Sequence, residues 1–165
     1  MINLKTILVP SDFSECSDEA FRYGLELARR FDASLHLLHV VQDPVTAPWA
    51  AEGFTTTLFD VTEDWRLQAE ARLRATVPEA DRARVTVASA IASPYAEILA
   101  YAAAHEVDLI VMGTHGRGGV THMLLGSIAE RIVRRAPCPV LTVRRPQHGF
   151  VETQALVAAH EGAAG

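Results

Sequence analysis

Short apolar runs alternate along this chain with stretches whose apolar residues recur at helical spacing, and that alternation limits the fold more than any other feature. Leu4 to Val9, Ser34 to Val41, Arg84 to Ser89, Val107 to Met112 and Pro139 to Val143 have the length and branched-residue content of buried strands. Between them, Glu19 to Phe31 sets Ala20, Phe21, Gly24, Leu25, Leu27 and Ala28 on one side of a helix, with Ser14 or Ser17 as its N-cap and Arg29-Arg30 in its last turn. Val61, Trp65, Ala69 and Leu73 form the apolar stripe of a second helix ending near Pro78. Ser93-Pro94 opens a third, running to about His105 with Ile98, Leu99 and Ala102 inward. Ser127 to Glu130 reads as the capping box of a fourth, which has Ile128, Ile132 and Val133 on one side and is stopped by Pro137. The order βαβαβαβαβ predicts a doubly wound α/β fold, a mostly parallel sheet with helices on both faces.

The 165 residues predict one domain, taken as 1–145, with 146–165 as a flexible tail lacking a further strand. The stretch from Gln42 to Phe59 reads as irregular, because Pro44, Pro48 and Gly53 block regular structure. Its aromatic residues Trp49, Phe54 and Phe59 fit a lid, a partner surface or an ordinary anchored loop. A formal charge of -5 with scattered basic residues disfavours nucleic acid as a partner. No run of about 18 apolar residues and no signal-like N-terminus is present, so no membrane is expected and a cytoplasmic location is the default. Cys16 and Cys138 make no disulfide framework and are expected as buried free thiols. The seven histidines show no compact zinc spacing; His36 and His39 alternate with leucine in a strand.

The chemistry concentrates after the fourth apolar run, in Gly113-Thr114-His115-Gly116-Arg117-Gly118-Gly119, followed by Gly126-Ser127 at a helix start. Glycine lets successive backbone N–H groups turn toward one anion, and a helix N-terminus adds unpaired donors and a positive dipole end. A phosphate-bearing ligand is the expectation. It is not a P-loop ligand, since no Gly-Lys pair occurs. Nor does the first strand lead into the glycines of a dinucleotide fingerprint; it ends Pro10-Ser11-Asp12-Phe13. Plainer roles stand beside these: Gly113 and Gly116 as strand terminators at a tight crossing, Ser127 as an N-cap, Asp12 as a turn residue or helix cap, Arg117 as a solvated loop charge.

Met112, Gly113, two residues, Gly116, nine residues and Gly126-Ser127 form a spacing that resembles the universal stress protein family, in its ATP-binding branch. The resemblance covers about residues 3 to 145, through Ile7-Leu8-Val9-Pro10-Ser11-Asp12-Phe13-Ser14, Leu38-His39-Val40, Asp108 to Gly113 and Ala136-Pro137-Cys138-Pro139-Val140. It implies a Rossmann-like, five-stranded parallel sheet in the order 3-2-1-4-5. It also implies that Asp12 approaches the ribose or the metal-phosphate region, with Pro10 and Ser11 shaping that wall and Val40 meeting adenine. Met112 and Gly113 would flank the nucleoside; Gly116, Arg117, Gly126, Ser127 and Ile128 would enclose the phosphates, with His115 in the same loop. Ala92 departs from the family, which often has glycine there. The ligand implied is ATP or ADP, with Mg or Mn riding on the phosphates near Asp12, and the assembly a homodimer through Val140 to Val143. A nucleotide-dependent stress-response or signalling protein is the leading expectation, with at most slow ATP hydrolysis or autophosphorylation. The alternatives are a slow ATPase or nucleotidyl transferase, and a nucleotide-free interaction module.

Overall fold

The computed structural model describes residues 3–42, 55–114 and 125–144. Strands β1 (Thr6–Pro10), β2 (Ser34–Gln42), β3 (Val85–Ala92), β4 (Leu109–Gly113) and β5 (Val140–Val143) form one sheet in the order β3-β2-β1-β4-β5. Every pairing is parallel: Ile7 stands opposite Leu35 on one side and Leu109 on the other, and Ile110 opposite Val140. Helices α1 (Glu15–Phe31), α2 (Thr55–Thr76), α3 (Pro94–Ala104) and α4 (Ser127–Arg135) complete the doubly wound α/β fold.

Strand residues alternate between faces with a period of two, and the sheet therefore feeds two cores. Ile7, Val9, Leu35, Leu37 and Val111 pack with residues of α1 and α2, whereas Leu8, Leu38, Ile110 and Met112 pack with residues of α3 and α4. Gly24 lets α1 lie against the sheet, because a Cβ there would come within 2.6 Å of a Val9 methyl group.

Several boundaries differ from the sequence reading, each for a local reason. The first helix starts at Glu15 rather than Glu19 because Ser14, in extended conformation, caps it by accepting from the Ser17 amide. The segment expected to be irregular is shorter: Gln42 still belongs to β2, and α2 begins at Thr55, since the breakers Pro44, Pro48 and Gly53 all precede it. Residues 43–54 and 145–165 lie outside the described residues, and with them Trp49, Phe54 and the expected tail. The fourth helix takes Gly126, not Ser127, as its N-cap, and the capping box does not form; Glu130 turns instead to Arg134 at 3.0 Å. The apolar stripes also fray at their edges, leaving Trp65, Ile128 and Val133 exposed beside buried Ala69, Leu73, Ala129 and Ile132. Both thiols are free but half-buried rather than buried, Cys16 in the first turn of α1 and Cys138 just ahead of the edge strand.

Candidate functional site

The carboxyl ends of β1, β2 and β4 open into a cavity of about 980 Å³, closed on its flanks by α2 and by the N-termini of α3 and α4. It sits where the chain's crossovers diverge to opposite faces of the sheet, the position at which open α/β sheets take ligands.

The turn after β1 is built by side chains replacing strand hydrogen bonds. The Ser11 amide donates to the Leu38 carbonyl (2.8 Å), and the Ser11 hydroxyl accepts from the Phe13 amide (3.2 Å). Asp12 Oδ1 accepts from both the Ser14 amide (3.1 Å) and the Ser14 hydroxyl (2.6 Å). Asp12 thus has the turn role foreseen as its plainer reading while also lining the cavity. Phe13 takes φ 63, a left-handed conformation that bulky residues rarely adopt. Its ring is gripped from two sides, by His39 with centroids 4.5 Å apart and by the Arg72 guanidinium 4.2 Å from its centroid. His39 Nδ1 lies 2.7 Å from the Ser11 carbonyl oxygen, which can only accept, so that nitrogen carries the proton.

The end of β4 is constrained differently. A Cβ on Gly113 would stand 2.9 Å from the backbone carbon and Cβ of Cys16. Glycine is required there by the close approach of α1, not by a left-handed backbone. The Thr114 amide donates to the Val143 carbonyl (2.9 Å), and the Thr114 carbonyl accepts from the Gly126 amide (2.7 Å). That second bond occupies the Gly126 N–H within the fold, while Gly126 itself lines the cavity. Ser127, Ile128 and Ala129 also line the cavity, in the first turn of a helix with no side-chain cap, where the amides have no carbonyl partner within the helix.

Of the expected site residues, Pro10, Ser11 and Asp12 come from β1 and its turn, Val40 from β2, and Met112 and Gly113 from β4. Gly126, Ser127 and Ile128 come from the start of α4, and all nine line the one cavity. His115, Gly116 and Arg117 lie outside the described residues. Sequence reading missed Phe13 and the contribution of α2, where Trp65, Gln68 and Arg72 also line the cavity. Their spacing of three and then four residues was a legible signal that they share one helix face. Among the described lining residues Asp12 is the one carboxylate and Arg72 the one guanidinium.

An open parallel sheet with a cavity at its switch point, bordered by a helix N-terminus that has no side-chain cap, defines a Rossmann-like α/β protein. Residues 3–144 match the model of the universal stress protein family, and the chain belongs to that family. It is 32% identical over 143 residues to a universal stress protein of Methanocaldococcus jannaschii, covering 87% of this chain and 84% of that one. The solved structure of universal stress protein UspA from Lactobacillus plantarum superposes with a TM-score of 0.67 at 28% identity, over 87% of this chain and all of that chain (100%). A universal stress protein from Archaeoglobus fulgidus, solved in complex with dAMP, has a TM-score of 0.55 at 16% identity over 87% of this chain and 99% of its own. Among the described residues no helix is long and apolar enough to cross a membrane.

Proposed function

We propose that this chain binds an adenine nucleotide, ATP in the first instance, at the head of its sheet, and acts through occupancy of that site rather than through rapid turnover. The observation that carries this reading is the start of α4 on the cavity wall without a side-chain cap, where the Ser127, Ile128 and Ala129 amides have no helix carbonyl as partner among the described residues and suit an anion. Leu38, Val40, Met112 and Ile98 give the same side of the cavity apolar walls suited to a base. The dAMP of the Archaeoglobus fulgidus protein belongs to that protein, whose identity of 16% carries likeness of fold alone. The donor set fits a polyphosphate better than a metal held by protein: Asp12 is the single lining carboxylate among the described residues, and its Oδ1 already serves Ser14. A divalent ion would therefore ride on the phosphates, with Asp12 beside it. One carboxylate engaged in a turn is a poor base for orienting an attacking water, which favours binding over hydrolysis.

The variant Ser127→Glu separates ligand binding from folding. A carboxylate in the first turn of α4 favours the helix through its dipole, yet repels a phosphate at the same amides. Titration calorimetry with ATP is expected to show at least about a tenfold loss of affinity, ~1.4 kcal/mol, with the melting temperature unchanged or raised. Unchanged ATP affinity in Ser127→Glu, or a native chain that ignores ATP altogether, would overturn the reading.

A further inference from the structure

The cavity is two-sided. The nucleotide reading uses Val40, Met112 and the start of α4, which belong to the α3/α4 face of the sheet. By the strand period of two, His39 and Val41 point to the opposite face, that of α1 and α2, where Leu35 and Leu37 also lie. There the cavity continues past Phe13 to Trp65, Gln68 and Arg72. At 100° per residue these three α2 positions fall within a third of the helix circumference. The ion pairs of α2, through Glu63, Arg66, Glu70 and Arg74, run along its other flank, and among the described residues Arg72 takes no part in them.

An indole left 49% exposed on a cavity wall is a stacking platform rather than core. The carboxamide of Gln68 offers both donor and acceptor to the edge of a planar ring, and the guanidinium of Arg72, stacked on Phe13, offers charge to a phosphate. The volume of about 980 Å³ stands at the top of the range of about 300–1,000 Å³ usual for small-molecule sites, which leaves room on the α2 side beside a nucleotide held at Val40, Met112 and the start of α4.

We infer that the α2 side is a second base subsite and that the site's ligand class extends to dinucleoside polyphosphates. The polyphosphate lies at α4, the second base stacks on Trp65 with its edge read by Gln68, and Arg72 meets the phosphate nearest it. This rests on the nucleotide reading above.

The test is calorimetry on the full chain with ATP and with diadenosine tetraphosphate as probes, for the native protein, Trp65→Ala and Arg72→Gln. Stacking of one base on an aromatic side chain predicts that the native chain prefers the dinucleotide by about tenfold or more. Trp65→Ala is expected to abolish that preference while leaving ATP affinity within about twofold, since nothing at the other side of the cavity changes. Arg72→Gln is expected to reduce the preference by more than any change in ATP affinity, which its contact with Phe13 in the cavity turn also touches. Equal affinities for the two probes in a native chain that binds ATP overturn this inference and leave the nucleotide reading intact. A preference that survives both substitutions also overturns it. Failure to bind either probe removes the nucleotide reading itself, and this inference with it.

Discussion

Asp81, buried at the end of a single 3-10 turn (Glu79–Asp81), meets Arg29 of α1 in a two-pronged pair, with Arg29 Nε 3.0 Å from Oδ1. The hydrogen bonds from Arg29 hold the Asp81 carboxyl below the usual aspartate range against the opposing effect of burial. A depressed carboxylate stabilises the fold fully above its unfolded pKa of about 3.9 and loses that contribution as pH falls through its lower folded value. Asp81→Asn should therefore lower stability at neutral pH and flatten its decline below about pH 4, as read by denaturant melts across pH. Arg29→Ala should cost about 1–3 kcal/mol at neutral pH by stranding the carboxylate, toward the lower end because Arg84 stands 3.6 Å away. None of this pairing was legible in the sequence, because 52 residues separate its members and nothing local marks either one. Asp12 was legible, since the Pro-Ser-Asp punctuation after an apolar run is a local signal of a strand end at the head of a sheet.

Elements were read well where a local signal and the tertiary contacts agree. The five strands and four helices appear in the expected order, and the sheet order 3-2-1-4-5 is the one the resemblance implied. The readings that changed were those set by contacts from elsewhere in the chain. Ser127 lost its cap role because Thr114 pulls Gly126 into register with the end of β4, and no sequence pattern encodes that bond. The α2 stripe misled for a geometric reason: steps of four residues advance about 40° each around a helix, so Trp65 sits about 80° from Leu73 and turns out of the core. At α1 the cap itself carries a consequence for the site. One Ser14 hydroxyl accepts from the Ser17 amide and donates to Asp12, coupling the start of the helix to the cavity turn. Ser14→Ala should cost about 1 kcal/mol in a thermal or urea melt. It should also weaken ATP binding, whereas Ser14→Thr, which keeps the hydroxyl, should restore both.

At the scale of the whole molecule, the sheet ends, among the described residues, at two edge strands, β3 and β5. On β5, Leu141 is 38% exposed along a strand that pairs, among the described residues, with β4 alone, an arrangement that proteins normally cover or pair. Self-pairing of Val140 to Val143 about a two-fold axis satisfies that edge and predicts a homodimer, measurable by sedimentation equilibrium. Leu141→Lys should shift the native dimer to monomer; a native chain that sediments as a monomer at every concentration contradicts the pairing. The order of the strands has a further effect, on birth rather than function. β1 lies between β2 and β4, and Asp108, just ahead of β4, accepts the Lys5 amide across 103 residues of chain. At about 5–20 residues added per second, the first strand leaves the ribosome roughly 5 to 20 s before the neighbour that completes it. Through that interval the growing polypeptide carries a half-finished sheet with neither β4 nor α4, so the cavity at the head of the sheet acquires its last walls only after α4 has emerged.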